Sequence, residues 1–431
     1  MAEDVVRVGL LGCGHVGSAL VRLITENSDS IEARTGIRLQ VTRVAVRNLS
    51  RERDVALPAS VFTNDANAVV GDEDVDVVVE VIGGIEPARE LIVDALTSGK
   101  SVVTANKELL ANFGKELFEA AETSGVDLLF EASVAGGVPL MRPLRESLAG
   151  DRISRVMGIV NGTTNYILTR MAEEGASFSD ALAEAQTLGF AERDPTADVE
   201  GFDAAAKAAI IATIAFGTRV VAGDVYREGI SELTDADMAS ARELGYVVKL
   251  LAVAEEDVHG VAVRVHPTMI PATHPLASVR ESFNAVFIEA DAVGELMLYG
   301  RGAGGAPTAS AVLGDLIDAS KNLVSGRRGA TIGALARKPV RPIDEVESQF
   351  YLQLEVADQP GVLAEIAAQF GEHDVSIKSM QQMGIGDDAR IIFITHRARE
   401  ADLRRTVHAL RDVKSVHRVG SVLRVMGDEP G

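Results

Sequence analysis

The feature that most limits how this chain can fold is a glycine-rich turn between a short apolar run and a helical pattern. Residues 5–11 read VVRVGLL, residues 12–17 read GCGHVG, and a helical pattern follows from about Val16 to Arg34. Glycines at this spacing let the backbone turn tightly and approach a pyrophosphate, which then lies at the positive end of the helix. The turn predicts a dinucleotide-binding unit with contacts from Gly12, Gly14, His15, Val16 and Gly17.

Strands and helices alternate through the first third of the sequence. Four runs predict strands, and the run at 75–84 is branched and nearly unbroken, as in a strand covered on both faces. These runs lie at residues 37–46, 75–84, 101–105 and 126–132, with helical patterns at 86–98 and 107–123. The alternation predicts a doubly wound, Rossmann-type α/β domain over residues 1–135, to which 303–325 returns. It also disfavours the alternative that GCGHVG is a plain glycine-rich turn.

The character of the sequence changes after residue 135. Segments 261–270 and 285–300 alternate apolar with polar residues, as strands of an antiparallel or mixed sheet do. The polar stretches NGTTN (161–165) and AERDPTADVEG (191–201) suggest loops between helices. We therefore predict a second, α+β domain for substrate binding and catalysis over residues 136–302.

The last hundred residues form a separate pattern. Residues 326–345 are rich in Arg, Gly and Pro and have little periodicity, so they predict a linker. Residues 346–431 then follow the order βαββαβ of a ferredoxin-like domain.

Charge and cysteine content restrict the partners and the compartment. Lys and Arg number 42 against 63 Asp and Glu, a net charge of −21 that repels nucleic acids and anionic membranes. Cys13 is the single cysteine, so no intrachain disulfide can form. The first residues, MAEDVV, lack the positive charge of a signal peptide, and no apolar run reaches the roughly 18 residues of a membrane span. We expect a cytoplasmic protein that binds neither nucleic acid nor membrane.

Two lysines are candidates for chemistry. Asp203 and Lys207 lie four residues apart, on one face of a helix whose other positions are mostly Ala and Ile. An exposed ion pair is the alternative, but the apolar composition indicates a buried helix, in which a lysine must be paired. Lys107 follows the predicted strand 101–105, at the edge where ligands of open α/β sheets bind. Its alternative is an ordinary residue at a helix N-terminus.

The second strand ends in arginine rather than in an acid. Arg47, with Arg51 and Arg53 close behind, suits the 2′-phosphate of NADP, whereas an acid would favour NAD. Arginines that only solvate a loop remain the alternative, so NADP is favoured and NAD stays possible. Cys13 lies inside the glycine turn, and we interpret it as a small filler rather than a nucleophile.

Several longer stretches together resemble the homoserine dehydrogenase family in its monofunctional bacterial form. They are GLLGCGHVGSAL, VVTANKELLA, FEASVAGGVPL, NGTTNYILT, GFAERDPTADVEGFDAAAKAAI and YGRGAGGAPTASAVLGDL, spread over residues 5–325. The tail, with DQPGVLAEI from Asp358, resembles an ACT domain, a regulatory module that binds amino acids.

The resemblance implies a reaction and a set of residues. The reaction is the reversible NAD(P)H-dependent reduction of L-aspartate 4-semialdehyde to L-homoserine, a step towards threonine, methionine and isoleucine. Lys207 would be the proton donor on the helix of Asp203, and Lys107 would face substrate and nicotinamide. Glu192 and Asp198 would bind the amino-acid substrate, with Glu192 on its amino group. Further positions implied are Gly304 at the cofactor and, at a site for a monovalent cation such as sodium, Glu131, Val134, Gly136 and Val138.

The ACT resemblance also implies regulation and assembly. Pro360 suits the first turn of a helix, and the loop before it leaves N–H groups for a carboxylate, so we expect feedback inhibition with threonine as the effector. ACT modules pair between chains, and the second domain of this family dimerises, so we expect a homo-oligomer, a dimer or tetramer. The alternative is a tail that only dimerises.

Two other functions compete with this prediction. A Rossmann–ACT protein could sense amino acids without turnover. A sensor, however, has no need for a buried proton donor such as the one expected at Lys207. An aldehyde dehydrogenase that forms a thioester would need a cysteine outside the glycine turn, and the chain has none.

Overall fold

The computed structural model describes residues 4–333, 335–384 and 389–427. Residue 334 of the predicted linker and the two outer limits of the predicted domains, residues 1 and 431, lie outside this part of the chain. The described residues form two sheets. The predicted fold class is confirmed: a Rossmann-like sheet, a mixed catalytic sheet and a ferredoxin-like C-terminal domain.

The first sheet is parallel and has six strands in the order β3-β2-β1-β4-β5-β6. Strand order 3-2-1-4-5-6 is that of dinucleotide-binding domains. Its strands are β1 (Asp4–Leu11), β2 (Ile37–Ala45), β3 (Phe62–Thr63), β4 (Val77–Glu80), β5 (Ser101–Thr104) and β6 (Leu128–Leu129). Its helices are α1 (His15–Glu26), α2 (Ser28–Thr35), α3 (Asn67–Val70), α4 (Ala88–Thr97) and α5 (Lys107–Ser124).

Two details of this domain differ from the prediction. The single helix expected over residues 16–34 is wrong, because the chain divides at Asn27, whose side-chain amide donates to the carbonyl of Leu23 at 3.0 Å. Asparagine amides compete with helical hydrogen bonds in this way. The strand expected over residues 126–132 contains only Leu128 and Leu129, because the Glu131 N–H turns away to donate to Asp315 at 2.7 Å.

The middle of the chain supplies half of a second, mixed sheet. Its strands are β7 (Ile153–Ile159), β8 (Tyr226–Arg227), β9 (Tyr246–Asp257), β10 (Gly260–Pro271), β11 (Phe283–Ala290) and β12 (Gly294–Arg301). Its helices are α6 (Gly162–Glu174), α7 (Phe178–Thr187), α8 (Thr196–Val199), α9 (Phe202–Phe216) and α10 (Asp235–Glu243). Helix α9 is buried along nearly its whole length, as its Ala and Ile composition predicts.

The prediction of a loop at NGTTN is wrong. Asn161 accepts a hydrogen bond from the N–H of Thr164 at 2.9 Å and so caps α6, which begins at Gly162. Asparagine in this position satisfies one of the unpaired N–H groups at the start of a helix. The remaining NGTTN residues therefore belong to the buried first turn of a helix.

The third domain continues the second sheet. Its elements are β13 (Glu347–Val356), α12 (Val362–Glu372), β14 (Ile377–Met383), β15 (Arg390–Thr395), β16 (Ala398–Arg399), α13 (Glu400–Arg411) and β17 (Val416–Val425). The sheet runs β12-β11-β7-β9-β10-β17-β13-β15-β14. Strands β10 and β17 join the domains by pairing Thr268 with Arg424 and Met269 with Val425. The expectation that Pro360 lies in the first turn of the helix is wrong, since α12 begins at Val362.

Two connections return along the body of the protein. Helix α11 (Gly305–Val324) packs against α1, and a Cβ added at Gly305 would lie 3.0 Å from the carbonyl oxygen of His15. The predicted linker lies against the end of α9, where Lys338 donates to the carbonyl of Phe216 at 3.0 Å. In the described ranges, no helix has the length and apolar character to cross a bilayer.

Candidate active site

The three glycines of the first turn occupy different environments. Gly12 has a φ of +100°, which favours glycine. A Cβ on Gly17 would overlap the carbonyl oxygen of Gly12, so α1 packs on the turn only because Gly17 has no side chain. A Cβ on Gly14 would meet no atom within 4 Å. The turn is therefore open at Gly14, where the N-terminus of α1 faces outward and could receive a pyrophosphate.

The second glycine loop, residues 300–307 (GRGAGGAP), lies beside the first. Gly304 has a φ of +110° and precedes α11, whose first residue lies against His15. The N-termini of α1 and α11 thus meet at one place. Two helix N-termini together give a concentrated positive potential for phosphate oxygens.

The arginines after β2 have different surroundings. Arg47 is exposed, whereas Arg53 donates to the carbonyls of Arg51 and Asn48 at 2.7 and 2.8 Å and braces the loop. Cys13 is buried with its Sγ 3.4 Å from the Ser18 hydroxyl, a position that suits the predicted filler. The guanidinium of Arg53 is therefore engaged within the loop, whereas Arg47, just after β2, and Arg51 are exposed.

The end of β5 places Lys107 at the start of α5. Glu80 is fully buried and accepts the hydroxyl of Thr104 at 2.5 Å, while Thr104 accepts the N–H of Asn106 at 3.0 Å. Asn106 caps α5 by accepting the N–H of Leu109 at 3.1 Å. This chain of hydrogen bonds holds Lys107 at the carboxyl edge of the parallel sheet, where ligands of such sheets bind.

The side chains of Lys107 and Lys207 meet at Asp203. Lys107 Nζ lies 2.8 Å from Asp203 Oδ1, and Lys207 Nζ lies 2.6 Å from Asp203 Oδ2. Lys207 also donates to the carbonyl of Val160 at 2.7 Å. The side chains of Asp203 and Lys207 are 8% and 12% exposed, whereas that of Lys107 is 40% exposed. The structure thus brings together residues from two domains at one partly open point.

The charges of this cluster keep its acid ionised. Burial alone would raise the pKa of Asp203, but the ammonium groups of Lys207 and Lys107 outweigh burial and hold that pKa well below its usual range. Burial would lower the pKa of Lys107, and the charge of Asp203 with its hydrogen bond overcomes this and raises it. Asp203 is therefore a fixed counter-charge, and Lys107 is an ammonium at neutral pH.

Asn161 also belongs to the cluster, although the sequence predicted only a loop at this position. Its side-chain amide donates to Asp203 Oδ2 at 2.9 Å and to Asp198 Oδ1 at 2.7 Å. The same side chain caps α6 through its amide oxygen, Oδ1. An asparagine before Gly-Thr-Thr is a helix-capping signal, and it would have placed this side chain at the start of a buried helix.

The two predicted substrate residues, Asp198 and Glu192, differ in burial and in their contacts with the cluster. Asp198 is half-buried and joins the cluster through Asn161. Glu192 is exposed in the loop before α8, and its carbonyl accepts from Gln186 at 3.1 Å. The loop is held to α6 by Thr163, whose hydroxyl donates to the carbonyl of Phe190 at 2.6 Å. Glu192 is thus on a segment anchored two residues from Asn161, but outside the hydrogen-bonded cluster.

The predicted cation residues form a buried loop. Ala135 and Gly136 both have left-handed backbones, and a Cβ on Gly136 would overlap the carbonyl oxygen of Gly302. Val134, Gly136 and Val138 are buried, and among the described residues no hydrogen bond is donated to their carbonyl oxygens. Unpaired buried carbonyls fit a cation bound by backbone oxygens.

Glu131 is hydrogen-bonded through its side chain to the backbone after this loop. Its carboxylate accepts the N–H groups of Leu140, Met141 and Arg142 at 2.5, 2.7 and 2.8 Å. The side chain therefore fixes the turn that follows the carbonyls. Within the described residues, no three His, Cys, Asp or Glu side chains gather as a metal site.

The glycine turn of a Rossmann sheet with an adjacent lysine–aspartate cluster defines a nicotinamide-dependent oxidoreductase. Residues 12–131 match the homoserine dehydrogenase NAD-binding domain, residues 139–317 match homoserine dehydrogenase, and residues 350–415 match the ACT domain. The chain belongs to the homoserine dehydrogenase family, as the resemblance of its sequence motifs predicted.

Individual relatives cover almost the whole chain. Homoserine dehydrogenase of Corynebacterium glutamicum is 52% identical over 428 residues, covering 98% of this chain and 96% of the relative. The crystal structure of a homoserine dehydrogenase from Thiobacillus denitrificans is 42% identical with a TM-score of 0.93, and covers 98% of both chains. A hyperthermophilic archaeal homoserine dehydrogenase in complex with NADPH is 32% identical with a TM-score of 0.63, covering 73% of this chain and 98% of that one.

Proposed function

We propose that this protein reduces L-aspartate 4-semialdehyde reversibly to L-homoserine with NADPH, on the way to threonine, methionine and isoleucine. The observation that carries the proposal is the shared ion pair of Lys107 and Lys207 with Asp203, at the carboxyl edge of the dinucleotide-binding sheet. A carbonyl reduction needs a proton donor beside the oxygen, and this cluster offers two ammonium groups.

Lys207 is the proton donor in this proposal. An ammonium has three N–H groups, of which Asp203 and the carbonyl of Val160 accept two. The third remains for the substrate oxygen. The nicotinamide, when bound, supplies the hydride to the aldehyde carbon. Lys107, which is more exposed, polarises the same oxygen, and Asp203 holds both lysines in place.

Glu192 and Asp198 bind the amino-acid end of the substrate. The substrate carries an ammonium group, which an exposed carboxylate on the anchored loop before α8 can reach. Asp198 is linked to Asp203 through the Asn161 amide, so it lies beside the lysine cluster and contacts the same end of the substrate from there. Glu192→Gln should raise KM for aspartate semialdehyde with little change in kcat, whereas an unchanged KM would remove Glu192 from the site.

The cofactor contacts are Gly12, Gly14, His15, Val16 and Gly17 of the first turn, Gly304 of the second loop, and Lys107. Arg47 is exposed after β2 and suits a 2′-phosphate, which favours NADP over NAD. The NADPH complex of the archaeal relative supports the same choice. The backbone oxygens of Val134, Gly136 and Val138, in the loop that starts at Glu131, would hold a monovalent cation such as sodium, whose charge would stabilise this loop against the second glycine loop.

The ACT domain inhibits the enzyme when threonine binds. Threonine is an end product of the proposed pathway, and the pairing of β17 with β10 at Arg424 and Val425 connects the domains. The chain acts as a homo-oligomer, with contacts in the domain over residues 136–302 and between ACT domains.

One assay tests the main points together. The absorbance at the nicotinamide band is followed with aspartate semialdehyde and either NADPH or NADH, with and without threonine. We expect faster oxidation of NADPH and inhibition by threonine. No oxidation with either dinucleotide would contradict the proposal and favour a sensor without turnover.

A further inference from the structure

A cavity of about 860 Å³ lies between the second and third domains. One wall is formed by Glu200 and Phe202, next to the start of α9, and by the segment from Tyr226 to Leu233. The opposite wall is β17, from Arg418 to Leu423. Its volume is within the range of small-molecule sites. None of Lys107, Asp203 or Lys207 lines it, so it is distinct from the proposed active site.

The ACT wall of the cavity is an open strand edge. Strand β17 pairs with β13 along most of its length, whereas β10 pairs with it only at Arg424 and Val425. Among the described residues, the outer edge before Arg424 therefore lacks a strand partner, and the segment lies along the cavity. Such an edge offers N–H and C=O groups to a small polar ligand.

The catalytic-domain wall carries four charged side chains. Glu200 accepts the Ser231 hydroxyl and Glu228 pairs with Arg424, which leaves Arg227 and Glu232 to complement a zwitterion. The guanidinium of Arg227 stacks over the Phe202 ring at 3.7 Å, and it has no acidic partner in the described parts of the chain. Glu232 lies on the same wall and is exposed. Stacking holds the arginine flat while its N–H groups remain able to bind a carboxylate.

We propose that this cavity is the effector site and takes an α-amino acid. Arg227 and the edge of β17 bind the carboxylate, and Glu232 binds the ammonium group. The inference rests on the regulatory part of the proposed function and deepens it. It places the amino acid between the domains instead of at the loop before α12.

The cavity is also connected to α9, the helix that carries Asp203 and Lys207. Gly229 packs so closely on Glu200 that an added Cβ would lie 2.5 Å from the carbonyl oxygen of Val199, and the Ile230 N–H donates to that oxygen at 2.8 Å. Gly201 and Phe202 then lead directly to Asp203. A ligand bound to Arg227 and Glu232 therefore acts on the segment that positions Asp203, the carboxylate shared by both lysines.

A buried ion pair fixes the ACT domain to the same segment. Arg424 is 8% exposed and donates to Glu400 at 2.8 and 2.9 Å and to Glu228. Glu228 also accepts the Tyr226 hydroxyl, and burial, together with this hydrogen bond, raises the pKa of Tyr226 to about 12. Movement of β17 is therefore transmitted to residues 226–230 rather than absorbed at the junction.

The test is calorimetric titration of the full-length protein with L-threonine and, separately, L-isoleucine. The variants are Arg227→Gln and Glu232→Gln, both on exposed side chains, and the control is Arg219→Gln, an exposed arginine outside the cavity. We expect each cavity variant to weaken binding of the effective amino acid at least about tenfold, and to weaken inhibition of NADPH oxidation in parallel. The control should behave as the wild type.

The outcomes separate this inference from the proposal on which it rests. Wild-type affinity and inhibition in both cavity variants would overturn the cavity site and leave feedback inhibition standing. Binding that depends on Arg227 and Glu232 but does not inhibit would support the site and contradict feedback. Absence of binding to the wild type would overturn both. If the cavity variants sediment differently from the wild type but bind the amino acid with wild-type affinity, a second copy of the chain covers the cavity. That result would also overturn the inference.

Discussion

Lys107 and Asp203 belong to different domains and form an ion pair of 2.8 Å. Lys107 is the first residue of a helix of the dinucleotide domain, and Asp203 is in the first turn of the buried catalytic helix. Because Asp203 also binds Lys207, one carboxylate sets the positions of both lysine ammonium groups relative to the cofactor domain. The alignment of hydride and proton transfer therefore depends on this contact.

Replacement of Asp203 should disable the site while the fold remains. Asp203→Asn keeps the hydrogen-bonding shape but leaves two ammonium groups without their shared counter-charge. We expect kcat to fall about 100-fold or more, with NADPH affinity changed less than about threefold. Steady-state kinetics and NADPH fluorescence titration check this, and the chain contains no tryptophan to interfere. Nearly normal turnover would show that Asp203 is not needed to hold the lysines.

The pH dependence of the wild type follows from the same carboxylate. Its depressed pKa means that its stabilising charge is present above the ordinary pKa of an aspartate and is lost only as pH falls below it. Asp203 should therefore stay ionised between pH 5 and about 7. In this range the wild type and Asp203→Asn should show the same pH dependence of stability and of kcat. A titration near pH 6 that the substitution removes would contradict the assigned ionisation.

Asn161 is predicted to position Asp203 and Asp198. Asn161→Ala removes both amide hydrogen bonds and the cap of α6, and we expect kcat to fall about tenfold or more. Asn112→Ala is the matched control, because Asn112 is exposed and its amide donates within its own helix. Equal kinetics of the two variants would remove Asn161 from the site.

The glycines of the first turn should separate packing from cofactor binding. Gly17→Ala places a methyl group against the carbonyl of Gly12, and should lower the free energy of unfolding by about 1–3 kcal/mol. Gly14→Ala meets no atom, so it should unfold like the wild type but bind NADPH about tenfold more weakly. Thermal unfolding and fluorescence titration measure the two effects. Normal NADPH affinity in Gly14→Ala would place the pyrophosphate elsewhere.

Lys249 gives a pH-dependent contribution to stability. Its side chain is 2% exposed, and burial lowers its pKa to about 8 while it donates to Asn165 at 2.9 Å and to the carbonyl of Val279 at 2.5 Å. An unfolded lysine keeps an ordinary pKa near 10.4, so between about pH 8 and 10 the unfolded chain binds more protons than the folded chain. The free energy of unfolding should therefore rise with pH in this window.

A substitution isolates that contribution. From pH 7.5 to 9.5 the wild type should gain about 1–2 kcal/mol from Lys249, and this gain should be absent in Lys249→Met. Calorimetric unfolding at the two pH values compares them, with Lys115→Met as the exposed control. An identical pH dependence of Lys249→Met and the wild type would contradict the lowered pKa.

The sequence predicted the parts of the site that depend on local pattern. The glycine turn follows from the backbone freedom of Gly12 and Gly17, and the buried pair of Asp203 and Lys207 follows from an apolar helix with one turn between the charges. These features involve residues near one another in the chain, so periodicity and spacing are sufficient to find them.

Long-range pairings were not predictable in this way. Lys107 meets Asp203 across 96 residues, and β17 joins β10 across the domain boundary, neither of which leaves a local pattern. Asn161 was missed for another reason, since its polar neighbours indicated a loop although their side chains are satisfied inside a helical turn. Tertiary contacts decided each of these cases.

The most direct test of the account is the rate of NADPH oxidation by Lys207→Ala with saturating aspartate semialdehyde. The exposed Lys115→Ala is the control, and the NADPH affinity of both variants is measured beside the rate. We predict that Lys207→Ala loses kcat by about 100-fold or more while its NADPH affinity stays within about threefold of the wild type. Turnover equal to that of the control would contradict the assignment of Lys207 as the proton donor.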